Sequence, residues 1–154
     1  MTVALTPAPR DTAAWVFDAA SAYFKELVPD GGDLPRTEIT ECFDHPDTHV
    51  LLITNGQQRV GFALVDRGDG DHDLCEFCIL PAFRNQGLGT RAAAQCFAQF
   101  PGAWFLGVAS TLPGTARFWD RILLDMPGIT GLVRGPALTP YQSHSYTFEY
   151  KGTP

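Results

Sequence analysis

No stretch of the 154 residues is apolar for anything near the ~20 positions that a membrane-crossing helix requires. No membrane association is therefore expected. The opening segment, Met1-Thr2-Val3-Ala4-Leu5-Thr6-Pro7, has no basic residues leading into a long apolar run. It does not read as a signal peptide, and a cytoplasmic protein is expected. Cations are scarce: 11 Lys and Arg stand against 17 Asp and Glu, a formal net charge of −6. A phosphate backbone needs a basic surface, so nucleic acid is not expected as a partner. The charge suits a cationic substrate such as an amine, although acidic surfaces also serve solubility. Repeats, low-complexity tracts and linkers are missing too. With 45% hydrophobic residues, the chain reads as one domain, 1–154, around one core.

Cysteine is also sparse, at positions 42, 75, 78 and 96. Cys75-x-x-Cys78, with His72 nearby, invites a zinc or redox reading, which predicts bound metal or a disulfide. No second Cys pair follows at zinc-ribbon spacing. In a regular strand, residues three apart point to opposite faces, which spoils a shared chelate. The expected role is that of small buried hydrophobes in a reducing compartment, with no metal. His45-x-x-x-His49 falls in an Asp- and Pro-rich loop without further ligands.

What is present reads as alternating strands and helices. Met1 to Leu5 is a candidate strand. Asp11 to Val28 places Trp15, Ala19, Ala22, Tyr23 and Leu27 at helical spacing, with Asp11 as N-cap and Pro29-Asp30-Gly31-Gly32 as the stop. Thr37 to Phe43 suggests a short second helix, and Asp44 to Asp47 a loop. His49 to Thr54 and Arg59 to Asp66 are Val/Ile/Leu-rich strands joined by the tight turn Asn55-Gly56-Gln57-Gln58. A second turn, Asp66 to Asp71, leads into the strand His72 to Leu80. Gly87 to Phe100 is a helix closed by Pro101-Gly102, and Ala103 to Ala109 is a buried strand. Strand, helix and strand make a parallel crossover, expected to be right-handed. Pro113 to Leu124 reads as a further helix, with Ile129 to Val133 and Ser145 to Tyr150 as closing strands.

The most informative stretch is Ile79-Leu80-Pro81-Ala82-Phe83-Arg84-Asn85-Gln86-Gly87-Leu88-Gly89-Thr90. A strand ends at a proline, and an arginine then leads into two glycines at the mouth of a helix. Free backbone N–H groups and the helix dipole make such a mouth a natural seat for phosphate. Glycine lets the anion approach closely, and Arg84 would add a cation at the rim. The P-loop pattern fails, for there is no Gly-Lys-Ser/Thr. The dinucleotide fingerprint fails as well, because Ala92 stands where its third glycine belongs. What remains, Arg84-Asn85-Gln86-Gly87-Leu88-Gly89, resembles the coenzyme A signature R/Q-x-x-G-x-G/A of the GNAT-type N-acetyltransferase superfamily. The element order is similar to that fold along nearly the whole chain.

This resemblance implies an α/β (α+β) single-domain fold, with a mixed, mostly antiparallel sheet, flanking helices and one central parallel pair of strands that splay apart. It implies acetyl-CoA as co-substrate, its pantetheine arm bonded to backbone at Phe77, Cys78 and Ile79. The pyrophosphate would rest on Arg84, Asn85, Gln86, Gly87, Leu88, Gly89 and Thr90. The reaction would carry an acetyl group to an amine of a small molecule or peptide. An amine must lose a proton before attack, so a base is needed. Glu76, a carboxylate in an otherwise apolar strand, is the first candidate; pairing with an arginine or facing solvent is the competing reading. Asp73 is the second candidate, and Glu41 is a residue that could line the substrate mouth.

The family's later helix often carries Asn-x-x-Ala-x-x-Phe/Leu-Tyr, whose tyrosine can protonate the leaving thiolate. Here Leu112 replaces the asparagine and Trp119 the tyrosine. The Phe118-Trp119 pair, together with Glu76-Phe77, is similar to a bacterial branch of the superfamily. An indole N–H is a poor proton donor, so Trp119 reads as core packing or a wall of the channel. The acid is then either absent or moved to Tyr141 or Tyr146. Arg117 and Arg121, four apart on one helix face, could reach the cofactor's phosphates or be ordinary surface charges. The alternative function is a non-catalytic sensor that binds CoA on the same fold. A homodimer through the tail-side sheet edge is a further expectation.

Overall fold

The computed structural model describes residues 1–32, 36–68 and 71–152. Asp69 and Gly70, part of the second expected turn, lie outside the described residues. Strands form where β-branched and aliphatic residues alternate. In β2 (Thr48–Asn55), Val50 and Leu52 face one side of the sheet while Leu51 and Ile53 face the other, all nearly inaccessible. The hairpin to β3 (Gln58–Arg67) turns at Gly56, whose φ of 64° is what the first central position of a tight two-residue turn takes.

With β1 (Val3–Pro7), β4 (Asp71–Ile79), β5 (Gly102–Ala109), β6 (Ile129–Gly135) and β7 (Gln142–Tyr150), these make one seven-stranded sheet in the order β1-β2-β3-β4-β5-β7-β6. All neighbours are antiparallel except β4 and β5. Helix α3 (Leu88–Gln99) forms the crossover between that parallel pair. Together with α4 (Pro113–Asp125) it covers one face, where Phe97, Trp104, Trp119 and Leu123 pack. Helices α1 (Ala13–Leu27) and α2 (Arg36–Asp44) cover the other, over Val16, Ala20, Tyr23, Ile39 and Phe62. Burial of each large apolar side chain in these layers contributes about 1.5–3 kcal/mol. No helix among the described residues is long and apolar enough to cross a membrane.

Several boundaries differ from the sequence reading: β1 runs Val3–Pro7 rather than Met1 to Leu5, and β7 starts at Gln142 rather than Ser145. A short 3-10 turn, Arg10–Thr12, precedes α1, so Thr12 rather than Asp11 occupies the N-cap. The Thr12 hydroxyl donates back to Pro9 O at 2.6 Å instead of capping the helix. Sequence alone does not distinguish a tight lead-in turn from the first turn of the helix, because both place the same residue types at the same spacing.

Candidate active site

The site begins with an irregularity in β4. Leu64 pairs with Glu76 and Val65 with Leu74, so Cys75 is an extra residue in the ladder. The bulge shifts the alternation: Leu74 and Phe77, three apart, pack into the same α3/α4 face. Glu76 is left on the α1 side, close enough to the Tyr23 phenol to raise its pKa. The two cysteines part company as well, although the strand is not the regular one the sequence argument assumed. The Cys75 thiol is exposed and donates to Asp66 Oδ2 at 3.2 Å, while Cys78 is buried under α1. Burial pushes the Cys78 thiol up to about 12, against the pull of Arg84.

Past the bulge, β4 and β5 separate. They pair only over Asp71–Leu74 and Ala103–Leu106, and the ladder ends there although both strands run on. The opening is a cleft of about 520 Å³ on the α3/α4 side. Of the residues expected to hold the cofactor, Phe77, Cys78, Ile79, Arg84, Asn85, Gly87, Gly89 and Thr90 line it. Gln86 and Leu88 do not; the Leu88 side chain is 1% exposed, in the core beneath α3.

The loop before α3 has the conformation of an anion cradle. Asn85 (φ 63°) and Gly87 (φ 80°) both take left-handed backbone, and Gly87 caps α3 without any side-chain hydrogen bond. Loops of this kind turn successive N–H groups inward. The two signature glycines are glycine for different reasons. A Cβ on Gly87 would meet open space, so only its positive φ demands glycine. A Cβ on Gly89 would sit 3.1 Å from the Phe118 ring, so there the need is close packing of α3 on α4.

Arg84 has a different setting from the bare rim cation that the motif suggests. Its Nη1 and Nη2 donate to the two carboxylate oxygens of Glu26 at 2.7 and 2.9 Å, and its Nε donates to Ile79 O at 2.7 Å. A half-buried bidentate pair thus ties the end of α1 to the end of β4. Arg117 and Arg121 also line the cleft, and among its described lining residues they are the cations besides Arg84.

On the other side of the opening lies a smaller pocket of about 260 Å³. Glu76, Leu27, Gly107, Tyr141 and Gln142 are among its lining residues. Asp73 and Glu41 are not; Asp73 is exposed on β4, its carboxyl raised by partial burial and by Asp66. Gln142 folds over Gly107, where even a Cβ would lie 2.1 Å from its amide nitrogen. Its Oε1 accepts the Leu138 N–H at 3.0 Å, and Ser110 N donates to Tyr141 O at 2.8 Å. The loop before β7 is thereby held against β5 as the pocket wall.

The two tyrosines considered for the acid separate cleanly. Tyr141 lines the smaller pocket and is half exposed. Tyr146 lines neither cavity: its hydroxyl donates to Asp120 Oδ1 at 2.6 Å, and burial and that carboxylate raise its pKa. Trp119 is buried (4% exposed), edge-on to Phe77 and Phe118, and borders both cavities. Sequence reasoning passed over Tyr23 and Glu26. The available signal for Tyr23 was a phenol on the stripe Val16, Ala19, Ala20, Tyr23, the buried face of α1. Glu26 carried no local signal, since its partner is 58 residues away.

No curated protein matches the chain. Among solved structures it is similar to a GNAT-family acetyltransferase from Staphylococcus aureus, with 14% identity, 97% of this chain and 100% of that one covered, and a TM-score of 0.71. An acetyltransferase from Thermus thermophilus is similar at 22% identity, 96% of each chain and a TM-score of 0.68. The PaiA N-acetyltransferase of Thermoplasma acidophilum, solved in complex with coenzyme A, is similar at 10% identity, 97% of this chain, 100% of that chain and a TM-score of 0.67. These likenesses establish the fold. The model of the acetyltransferase (GNAT) family matches residues 15–123, from α1 through α4, and the chain belongs to that family.

Proposed function

We propose that this single domain binds acetyl-CoA in the larger cleft and transfers its acetyl group to an amine held in the smaller pocket. The observation that carries this reading is the opening between β4 and β5, with a cavity on each side and four lining residues in common. A donor in one cavity and an acceptor in the other would meet through that opening without crossing a paired strand.

In this reading the pyrophosphate rests on the backbone of Asn85 to Thr90 at the positive end of α3. Arg117 and Arg121 supply the mobile cations, while Arg84 braces the loop. The pantetheine runs along Phe77, Cys78 and Ile79, and the thioester carbonyl reaches the gap. Glu76 takes the proton that the amine must lose before its lone pair attacks. A backbone N–H of the unpaired half of β4 steadies the developing oxyanion. The acceptor is a compact primary amine: among the described lining residues Glu76 is the acidic one, set between the apolar Phe24, Leu27 and Leu106 and the polar Thr139, Tyr141 and Gln142.

Calorimetric titration with acetyl-CoA, CoA and dephospho-CoA tests the cofactor half. Micromolar binding, about −8 kcal/mol, is expected for acetyl-CoA and CoA. Absence of binding to all three sinks the reading. Release of free thiol from acetyl-CoA in the presence of a panel of primary amines then tests transfer. A panel that binds the holo-protein without releasing thiol would favour the sensor alternative.

A further inference from the structure

One phenol at the junction has no part in the scheme so far. The four residues common to both cavities are Tyr23, Phe77, Thr115 and Trp119. If acetyl transfer is the reaction, on which this inference rests, the C–S bond breaks at this junction. The departing sulfur collects negative charge there. Phe77 has no proton to give, the Trp119 indole is a poor acid, and the Thr115 alcohol is a far weaker acid than a phenol. Tyr146 is engaged by Asp120 on another part of the sheet, and Tyr141 borders only the acceptor side.

We propose that Tyr23, on α1, is the proton donor to the sulfur of coenzyme A. The amine nitrogen forms the C–N bond, and the carbonyl π electrons move onto oxygen. As they return, the C–S bond breaks and its electron pair leaves on sulfur. The Tyr23 proton passes to that sulfur, giving the free thiol of CoA. The tyrosinate is refilled by the second proton that the nitrogen sheds after attack, delivered through water or through Glu76 once it has passed its first proton to solvent. The protein thus ends unchanged, and an ammonium substrate releases one proton per cycle.

The surroundings keep Tyr23 in its protonated form, ready as a donor, at neutral pH. Burial, then the neighbouring charges of Glu76 and Cys78, push the Tyr23 phenol up; Arg84 pulls it back and Glu26 pushes it further. Tyr23 therefore holds its proton until a stronger base arrives. The same burial and the same carboxylates would make a bare thiolate beside it equally costly. Arg84, held in place by Glu26, offers the transient tyrosinate a nearby positive charge.

The test is an ultraviolet titration of the CoA thiolate bound to wild type and to Tyr23→Phe, a change that deletes one atom. Loss of the donor should move the bound thiol's ionisation upward by about one pH unit, with CoA affinity held within about twofold. With an active amine, kcat should fall 10- to 100-fold at unchanged KM for acetyl-CoA. An unshifted thiol with CoA still bound would overturn the role of Tyr23 and leave the acetyl-transfer reading intact. Failure of the wild type to bind CoA would overturn both. Should Tyr23→Phe not fold, the tyrosine difference spectrum of the wild type decides. It should respond to CoA and not to desulfo-CoA, and equal responses would refute the proposal.

Discussion

The two halves of β4 have opposite fates. Over Asp71–Leu74 the strand is paired on both edges, and His72 and Trp104, neighbours in register across to β5, bury their rings together with Phe100. From Cys75 onward its edge toward β5 is bare, and its residues line cavities instead. A single extra residue separates the regimes. The lesson is that a catalytic opening is made by ending a ladder, with rigidity supplied by the paired half just upstream.

Breaking the paired half should have the largest effect. Trp104→Ala removes a 2%-exposed indole that packs edge-on against Phe97, and should cost about 3–5 kcal/mol in urea unfolding. Phe77→Ala, in the open half and only partly buried, should cost less than half of that yet weaken CoA binding more. Equal losses at the two positions would erase the distinction.

The cradle sharpens the contrast at intermediate size. Gly87→Ala forces an L-residue into φ 80°, about 1–2 kcal/mol of strain, and should lower CoA affinity about tenfold in calorimetry. Gly89→Ala instead drives a methyl against Phe118. It should depress the melting temperature, and CoA affinity should fall only as α4 shifts.

Remote from the opening, Asp120 accepts from Tyr146 and pairs with the buried His144 ring at 2.8 Å. Burial works against its charge, but the hydrogen bonds from Tyr146 and His144 prevail and hold its carboxyl below the ordinary value. A depressed carboxyl stabilises the fold above the unfolded pKa of ~4, and that stabilisation fades as pH drops through the lower folded value. Asp120→Asn should therefore cost about 1–2 kcal/mol at neutral pH, and the gap to wild type should narrow in acid. CoA binding should not change. The smallest effect belongs to Glu26→Gln: below about 1 kcal/mol in stability, with CoA affinity falling about twofold as the brace on Arg84 loosens.

The local parts of this fold were legible because their causes are local. Alternation in β2, the Asn55-Gly56 turn and the Pro81-to-Gly89 cradle each declare themselves within a dozen residues. The element order followed, and with it the parallel crossover through α3. Hidden from the sequence were consequences of packing between distant segments. Gly89 reads as a phosphate glycine until Phe118 is seen above it. Arg84 reads as a free cation until Glu26 arrives from α1. The Cys75 bulge has no residue signature, so the face that Glu76 occupies could not be counted from its neighbours. Tyr23 passed as core because a phenol on an apolar helix stripe is indistinguishable by spacing from a phenylalanine.

The pairing of Glu26 with Arg84 also sets an order of events. Its two partners lie 58 residues apart, and the chain between them contains α2 and the β2–β3–β4 meander. Closing so long a loop is entropically late, coming after the hairpins that can form on their own. The signature segment can therefore be complete in the growing chain and still lack its brace until α1 docks. A cofactor that prefers the braced cradle would then act as a checkpoint on folding as well as a reagent, selecting chains whose first helix has already come home.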